Sequence, residues 1–202
     1  IPESTLILEY LEDAFPNDIT LRSKEPKEVA IMRLWMRKIE DGIHVASRTI
    51  GVCVVNRHFY QRTEKKQLAD YYAKMRDGVR KNNDKINTEM GLESPLLAPS
   101  IHAFKQLFVE MDEHLQSYDW LAGNSYSLAD ISLVVYLTRL GSFQMAPLWS
   151  DMIALNKWFE KIVARPGYQS AVTDWGDITA EKRRTEGDAA FERIKKIWLQ
   201  DN

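Results

Sequence analysis

The chain has 202 residues, a formal net charge of −2 and 45% hydrophobic residues, which suffices for a folded core in one or two domains. Its basic residues are spread out and no apolar run approaches the roughly 20 residues that span a bilayer, so neither nucleic acid nor a membrane is an expected partner. The single cysteine, Cys53, excludes an internal disulfide framework and favours a reducing, cytoplasmic compartment. The four histidines lack metal-ligand spacing, so no metal site is expected.

The first segment predicts a short amphipathic helix. Ser4 is an N-cap residue type, apolar residues follow at helical spacing, and Pro16 ends the pattern. The chain begins directly with this helix, without Met or a signal region, so we expect it to be the interior of a longer protein. Glu3 and Ser4 lie beside free backbone N–H groups, which suit a ligand carboxylate, although simple capping also explains both residues.

The next segments predict further helices. Residues 17–26 have the polar composition of a linker, and Lys27 to about Val55 reads as one long helix with a kink expected at Gly42 or Gly51. A charge-laced helical region and a turn-rich stretch precede another helix that is predicted to start near Ser100. No period-2 strand pattern is found, so we predict an all-α bundle with one small helix in front.

The strongest local signal is a helix start at residues 126–131. Ser127 is the predicted N-cap, and Asp130 at the third helical position can accept a hydrogen bond from the Ser127 N–H, as in a capping box. Tyr126 and Ile131 complete a hydrophobic staple. The helix from Leu128 is apolar nearly all round, so we expect it at the centre of the bundle and assign Asp130 a structural role.

Three motifs follow one another along the chain, namely Glu3-Ser4-x-x-Ile7-x-x-Tyr10-Leu11, Gly123…Tyr126-Ser127-Leu128-Ala129-Asp130-Ile131, and Trp158-Phe159…Ile162-x-Ala164-Arg165-Pro166. Their order resembles that of the cytosolic glutathione transferase superfamily. The opening most resembles the bacterial β-etherase and dehalogenase-like branch. The resemblance implies that residues 1–16 are the final helix of a truncated thioredoxin-like, glutathione-binding domain, that 17–26 is a linker, and that 27–202 is the all-α C-terminal domain with a tail helix.

The resemblance also implies a function. Glutathione would be the co-substrate, with Ser4 holding its γ-glutamyl carboxylate and Glu3 facing its α-amino group, and the thiolate would attack a small hydrophobic electrophile, by β-aryl ether cleavage or dehalogenation. The thiol-activating residue of this family lies upstream, so no catalytic residue is expected in this chain. The acceptor pocket is predicted near six residues, each of which has an ordinary surface or core role as its alternative: Arg37, His44, Arg48, Val52, Tyr136 and Phe143.

Two further expectations concern partners and the C-terminal tail. Members of the superfamily are usually dimers, so a homodimer is expected; a non-catalytic helical interaction module is the alternative function. Trp175, in the segment 174–177, could close over the pocket, but anchoring of the tail to the core is the favoured role. The charged final helix from Ala180 is expected to dock through one apolar face, either on the bundle or on a partner subunit.

Overall fold

The computed structural model describes residues 1–16, 20–175 and 179–200. Within these ranges the chain is helical, and its β structure is limited to an isolated bridge between Trp120 and Gly123. The predicted all-α class is therefore confirmed. The α-helices are α1 (Ser4–Ala14), α2 (Pro26–Lys38), α3 (His44–Gly51), α4 (Arg57–Arg62), α5 (Lys65–Lys74), α6 (Gly78–Met90), α7 (Leu97–Leu115), α8 (Leu128–Ser142), α9 (Ile153–Val163), α10 (Pro166–Tyr168) and α11 (Ala180–Trp198).

The described residues divide into two compact units. The first unit draws on residues 1–42, 107–139 and 149–176, and the second on 43–106, 140–148 and 177–202. The first has a core that includes Met32, Trp35, Phe108, Met111, Leu133, Leu155, Trp158 and Ile162. The second has a core that includes Ile50, Val52, Leu97, Ile101, Phe104, Phe143, Ile194 and Trp198.

The predicted long helix is interrupted by a kink at one of its glycines, Gly42. A π-helical turn at Ile39–Ile43 separates α2 from α3, and Gly42 in that turn has φ of 152°, a value that side-chain-bearing residues rarely adopt. Gly51 keeps helical angles. The kink is therefore at Gly42, and the helical path continues beyond Val55 through the π-turn Val52–Asn56 to the end of α4 at Arg62.

Helix α7 begins earlier than the sequence pattern predicts. It starts at Leu97 rather than near Ser100. Pro99 therefore lies within its first turn, where a missing N–H costs no hydrogen bond because the first N–H groups of a helix have no intrahelical acceptor. Proline consequently does not mark the boundary of this helix.

The C-terminal helix attaches through its own apolar face. Ala190, Ile194, Ile197 and Trp198 of α11 are buried, and the His102 Nε2 lies 3.0 Å from the Ile197 carbonyl oxygen. The prediction that Trp175 anchors the tail is wrong, because its side chain is 84% exposed. Gly176 and Asp177, the rest of that segment, lie outside the described residues. None of the helices in the described ranges has the length and apolarity needed to cross a bilayer.

Candidate functional site

The first candidate site is the N-terminus of α1. The helix begins at Ser4, and Glu3 occupies the N-cap position with φ of 67° and ψ of 120° and no side-chain capping bond. The prediction of Ser4 as N-cap is therefore wrong by one residue. Positive φ at a residue with a Cβ is strained, and such residues concentrate at functional sites. The first intrahelical bond runs from Ile7 N–H to the Glu3 carbonyl, so the preceding N–H groups have no intrahelical acceptor.

Polar contacts within the first unit hold this N-terminus in place. Thr5 is 7% exposed, and its hydroxyl donates to the carboxylate of Glu40 in the π-turn after α2. Further along α1, Arg33 of α2 donates to Glu9 with an Nη2–Oε2 distance of 2.6 Å. This hydrogen bond lowers the pKa of Glu9. The backbone at Glu3 and Ser4 is thereby positioned by partners about 30 residues away in sequence, which the sequence pattern does not reveal.

The second candidate site is a cavity of about 190 Å³ in the second unit. It lies among residues of α3, the N-cap of α6 and the first two turns of α6. Two of the six predicted acceptor-pocket residues, His44 and Arg48, line it together. The complete lining is His44, Val45, Arg48, Thr49, Asp77, Val79, Arg80, Asn83 and Asp84.

A buried ion pair orients Arg48 at this cavity. Asp84 is 1% exposed and accepts from both the Nε of Arg48, at 2.9 Å, and its Nη2. The hydrogen bond from Arg48 to Asp84 raises the pKa of Arg48. Nη2 also lies 3.3 Å from the Tyr71 hydroxyl, which is 3.4 Å from the Tyr60 hydroxyl. A two-point contact of this kind fixes the guanidinium plane.

The other four predicted pocket residues do not line this cavity. Arg37 is exposed and pairs with Asp41, with an Nε–Oδ1 distance of 2.7 Å. Val52, Tyr136 and Phe143 are buried, and burial raises the pKa of Tyr136 to about 12. The structure thus brings together His44 and Arg48 from the predicted set, and the acceptor pocket as a whole stays a prediction.

Among the polar residues of the cavity that sequence reasoning missed are the three that α6 contributes, namely Arg80, Asn83 and Asp84. They lie on α6, whose charge-laced sequence is typical of a solvated helix. Asp84 is buried nevertheless, because it is paired with Arg48, 36 residues earlier. Only the tertiary contact distinguishes this carboxylate from its exposed neighbours.

A larger groove lies in the first unit. It encloses about 580 Å³ and contains three aspartates and two lysines among its lining residues. Two of its carboxylates are already engaged: Asp112 accepts from the Leu155 N–H at 2.9 Å, and Asp119 pairs with Lys161 at 2.6 Å. Asp112 thus accepts a hydrogen bond from the start of α9. Fewer polar groups of the groove are therefore available to a ligand than its size suggests.

The residues at the start of α8 form a buried polar cluster. Asp130 is fully buried and accepts from the N–H of Ser127 and the Ser127 hydroxyl, both at 2.9 Å, from the Leu121 N–H at 3.0 Å, and from the Trp158 indole at 2.7 Å. Tyr126 packs edge-on against Trp120 and lies under Arg165. All of these contacts connect backbone and side chains of the first unit.

Cys53 and the histidines form no reactive or metal-binding centre in the described part of the chain. Cys53 is 1% exposed, and burial raises the pKa of its thiol to about 12. Such a thiol stays protonated at neutral pH and is a weak nucleophile. No group of three potential metal ligands occurs among the described residues.

Comparison with known proteins relates part of this chain to a protein family. Residues 100–166 match the sequence model of the glutathione S-transferase C-terminal domain. Together with the all-helical fold, this match confirms the predicted helical bundle of the glutathione transferase C-terminal type. The predicted resemblance to the glutathione transferase superfamily is thereby confirmed, and the relatives below agree with the predicted bacterial branch.

One extensive likeness is to LigF of Sphingobium sp. strain SYK-6. The two sequences are 26% identical over 176 residues, which are 82% of this chain and 66% of LigF. The crystal structure of beta-etherase LigF shares the fold with a TM-score of 0.76 at 24% identity, covering 86% of this chain and 74% of that one.

Two further relatives match shorter regions. FtsZ-localized protein A of Caulobacter vibrioides is 32% identical over 84 residues, 38% of this chain and 36% of that protein. The tetrachloro-p-hydroquinone reductive dehalogenase of Sphingobium chlorophenolicum is 25% identical over 113 residues, 55% of this chain and 46% of the enzyme. The chain spans between 36% and 66% of the length of these three curated relatives.

Proposed function

We propose that this chain is the helical part of a glutathione-dependent transferase that acts on a small hydrophobic electrophile, with β-aryl ether cleavage or dehalogenation as the reaction. The observation that carries the proposal is the likeness to LigF, whose structure is named a beta-etherase and overlaps 86% of this chain. The relative named as a reductive dehalogenase supports the second reaction.

The domain organisation is part of the same proposal. Residues 1–16 would be the last helix of a thioredoxin-like domain, 17–26 the linker and 27–202 the all-α domain. In support, α1 exposes an apolar face that another structural element would have to cover: Leu6 is 54% exposed, Tyr10 50% and Leu11 44%. The thiol-activating residue would come from residues outside this chain.

The N-terminus of α1 fits the γ-glutamyl end of glutathione. Ser4 is exposed, and its hydroxyl has no partner among the described residues, so it is available to donate to a carboxylate. The helix N-terminus adds free N–H groups and a partial positive charge. Glu3 is exposed beside them and can accept from an ammonium group.

These residues and the co-substrate would have separate roles in the reaction. Bound glutathione would supply the thiolate that forms a C–S bond as the aryloxide or halide leaves with the bonding electron pair. Ser4 and Glu3 hold the far end of that co-substrate, and Thr5 and Glu40 keep the helix start in position. We further propose that the cavity at His44 and Arg48 takes the electrophile, and that the protein works as a cytoplasmic homodimer.

Replacing Ser4 tests the proposal in the full-length protein. Ser4→Ala should raise the KM for glutathione about tenfold, because one hydrogen bond to a charged group is lost. Conjugation is measured with an activated aryl halide and with a β-aryl ether ketone. Ser117→Ala, which removes another exposed serine hydroxyl, is the matched control and should leave KM unchanged.

Two results would contradict the proposal. The first is a full-length protein that neither binds glutathione nor conjugates either electrophile. The second is an equal KM for Ser4→Ala and Ser117→Ala, which would remove Ser4 from the site. Sedimentation of the full-length protein as a monomer at micromolar concentration would exclude the homodimer.

A non-catalytic helical interaction module is the second candidate. The observation in its favour is the 32% identity with a protein named for its localisation with FtsZ. This function predicts stoichiometric binding of a protein partner with no change in thiol chemistry. Glutathione conjugation by the full-length protein that Ser4→Ala impairs would argue against it.

A further inference from the structure

We propose that the cavity lined by α3 and α6 accepts a single-ring aromatic anion, an aryl carboxylate or phenolate, and that Arg80 binds its charged group. The inference rests on the proposed function, because it names the substrate class of the acceptor pocket. Three features support it: the size of the cavity, its apolar wall and the hydrogen-bonding groups that remain unused there.

The size of the cavity selects a ligand of about one ring. Its volume is about 190 Å³, and an engineered cavity of about 150 Å³ lined by apolar side chains accommodates benzene. Val45, Thr49 and Val79 supply the apolar contact surface. Val79 is 73% exposed, so the cavity opens to solvent at its rim and a polar substituent can remain hydrated there.

The negative charges of the cavity are already satisfied by the protein. Asp84 directs both carboxylate oxygens to Arg48. Asp77 is the N-cap of α6, accepts from the Arg80 N–H at 3.0 Å, and lies against the positive end of the helix dipole. Neither carboxylate therefore needs a cationic ligand.

The remaining polar groups are mainly donors. Among the described residues, the Arg80 guanidinium and the Asn83 carboxamide have no side-chain partner, and Arg48 uses only its Nε and Nη2 atoms. A cavity with an apolar wall and unused N–H donors is complementary to an apolar ring that carries an anionic oxygen. Because Asp84 already neutralises the charge of Arg48, the positive charge for the ligand comes from Arg80.

Direct binding of three small probes tests this inference. The full-length protein without glutathione is titrated with benzoate, with benzamide as the neutral isostere and with acetate as the anion without a ring. Chemical shifts of backbone amides report the binding. Benzoate should bind with a Kd on the order of 1 mM and at least about tenfold more tightly than the other two, with shifts in α3 and the start of α6.

Substitution of Arg80 tests whether this side chain binds the anionic group of the ligand. Arg80→Gln should weaken benzoate binding about tenfold and leave benzamide binding unchanged, because only the charge-assisted hydrogen bond is lost. Arg184→Gln is the matched control, since Arg184 is exposed, has no side-chain partner among the described residues and does not line the cavity. A phenolate probe such as 4-nitrophenolate then distinguishes the two aryl anions.

Three results would overturn the inference. They are no benzoate binding, equal binding of benzoate and benzamide, or an Arg80→Gln protein that binds benzoate as the Arg184→Gln protein does. Because these titrations contain no glutathione, they separate this inference from the proposed reaction. Benzoate binding without conjugation would leave the ligand site standing and count against the transferase alone.

Discussion

Asp130 shows how one residue organises the start of a helix. Four donors converge on its buried carboxylate, from Ser127 (two), Leu121 and Trp158. Two of them belong to Ser127, the residue immediately before α8, and the indole comes from α9. The side chain therefore joins a helix cap, a loop and a core tryptophan within the first unit.

Removal of this carboxylate should strongly destabilise the protein. We expect Asp130→Ala to lower the free energy of unfolding by about 3 kcal/mol or more, because it leaves buried donors without an acceptor. Urea unfolding followed by circular dichroism measures the change. Asp188→Ala, at an exposed helical position, should change stability by less than about 0.5 kcal/mol. Equal losses for the two variants would contradict the structural role of Asp130.

Cys53 should be inert in the folded protein. With its thiol pKa raised to about 12 and 1% exposure, alkylation at pH 8 should be at least about 100-fold slower than in urea. It is the only cysteine of these 202 residues, so the labelling rate of this chain reports this site alone. Rapid labelling of the native protein would show that the thiol is accessible.

The same shift in pKa has a consequence for stability. Below about pH 8.5, the ordinary cysteine pKa, both folded and unfolded states keep the proton. Between there and pH 12 only the unfolded state releases it, so this group lowers the free energy of unfolding as pH rises. A Cys53→Ala variant should lack this contribution, which pH-dependent urea unfolding would detect.

Helix α11 packs closely against the backbone of Phe143 because residue 187 is a glycine. A Cβ at Gly187 would lie 2.2 Å from the carbonyl oxygen of Phe143, which is backbone and cannot rotate away. The helix therefore approaches this backbone more closely than any other residue type permits. By contrast, a Cβ at Gly141 of α8 would meet nothing within 4 Å.

These two glycines give a matched pair of predictions. Gly187→Ala should destabilise the protein by about 2 kcal/mol or more, because α11 must shift to relieve the overlap. Gly141→Ala should stabilise it by about 0.5–1 kcal/mol through its better helix propensity. Thermal unfolding of both variants measures the difference. A Gly187→Ala protein as stable as Gly141→Ala would refute the close approach.

The exposed apolar face of α1 provides a test of the proposed domain organisation. If a thioredoxin-like domain covers this face in the full-length protein, Leu6→Gln should lower the free energy of unfolding there by about 2 kcal/mol. Ile153→Gln, at an apolar residue that is 66% exposed on α9, is the control and should have little effect. Equal, small effects in urea unfolding would mean that the face is not covered.

The sequence was most informative where structure depends on neighbouring residues. Helical periodicity identified the all-α class, and the spacing of Ser127 and Asp130 marked the start of α8, because both signals arise from contacts within a few residues. The sequence offered Gly42 or Gly51 for the kink, because the flexibility that permits it is a property of glycine itself, and the structure has the kink at Gly42.

Tertiary structure alone decided the features that depend on distant partners. Asp84 is buried together with its ion-pair partner Arg48, and the buried Thr5 hydroxyl donates a hydrogen bond to Glu40. Trp175 is exposed, whereas apolar residues of α11 are buried. The sequence suggested His44 and Arg48 but not Arg80 or Asn83, which meet them only in the folded chain. Pairs separated by about 35 residues leave no periodic signal, because their proximity is set by the packing of helices rather than by spacing along one.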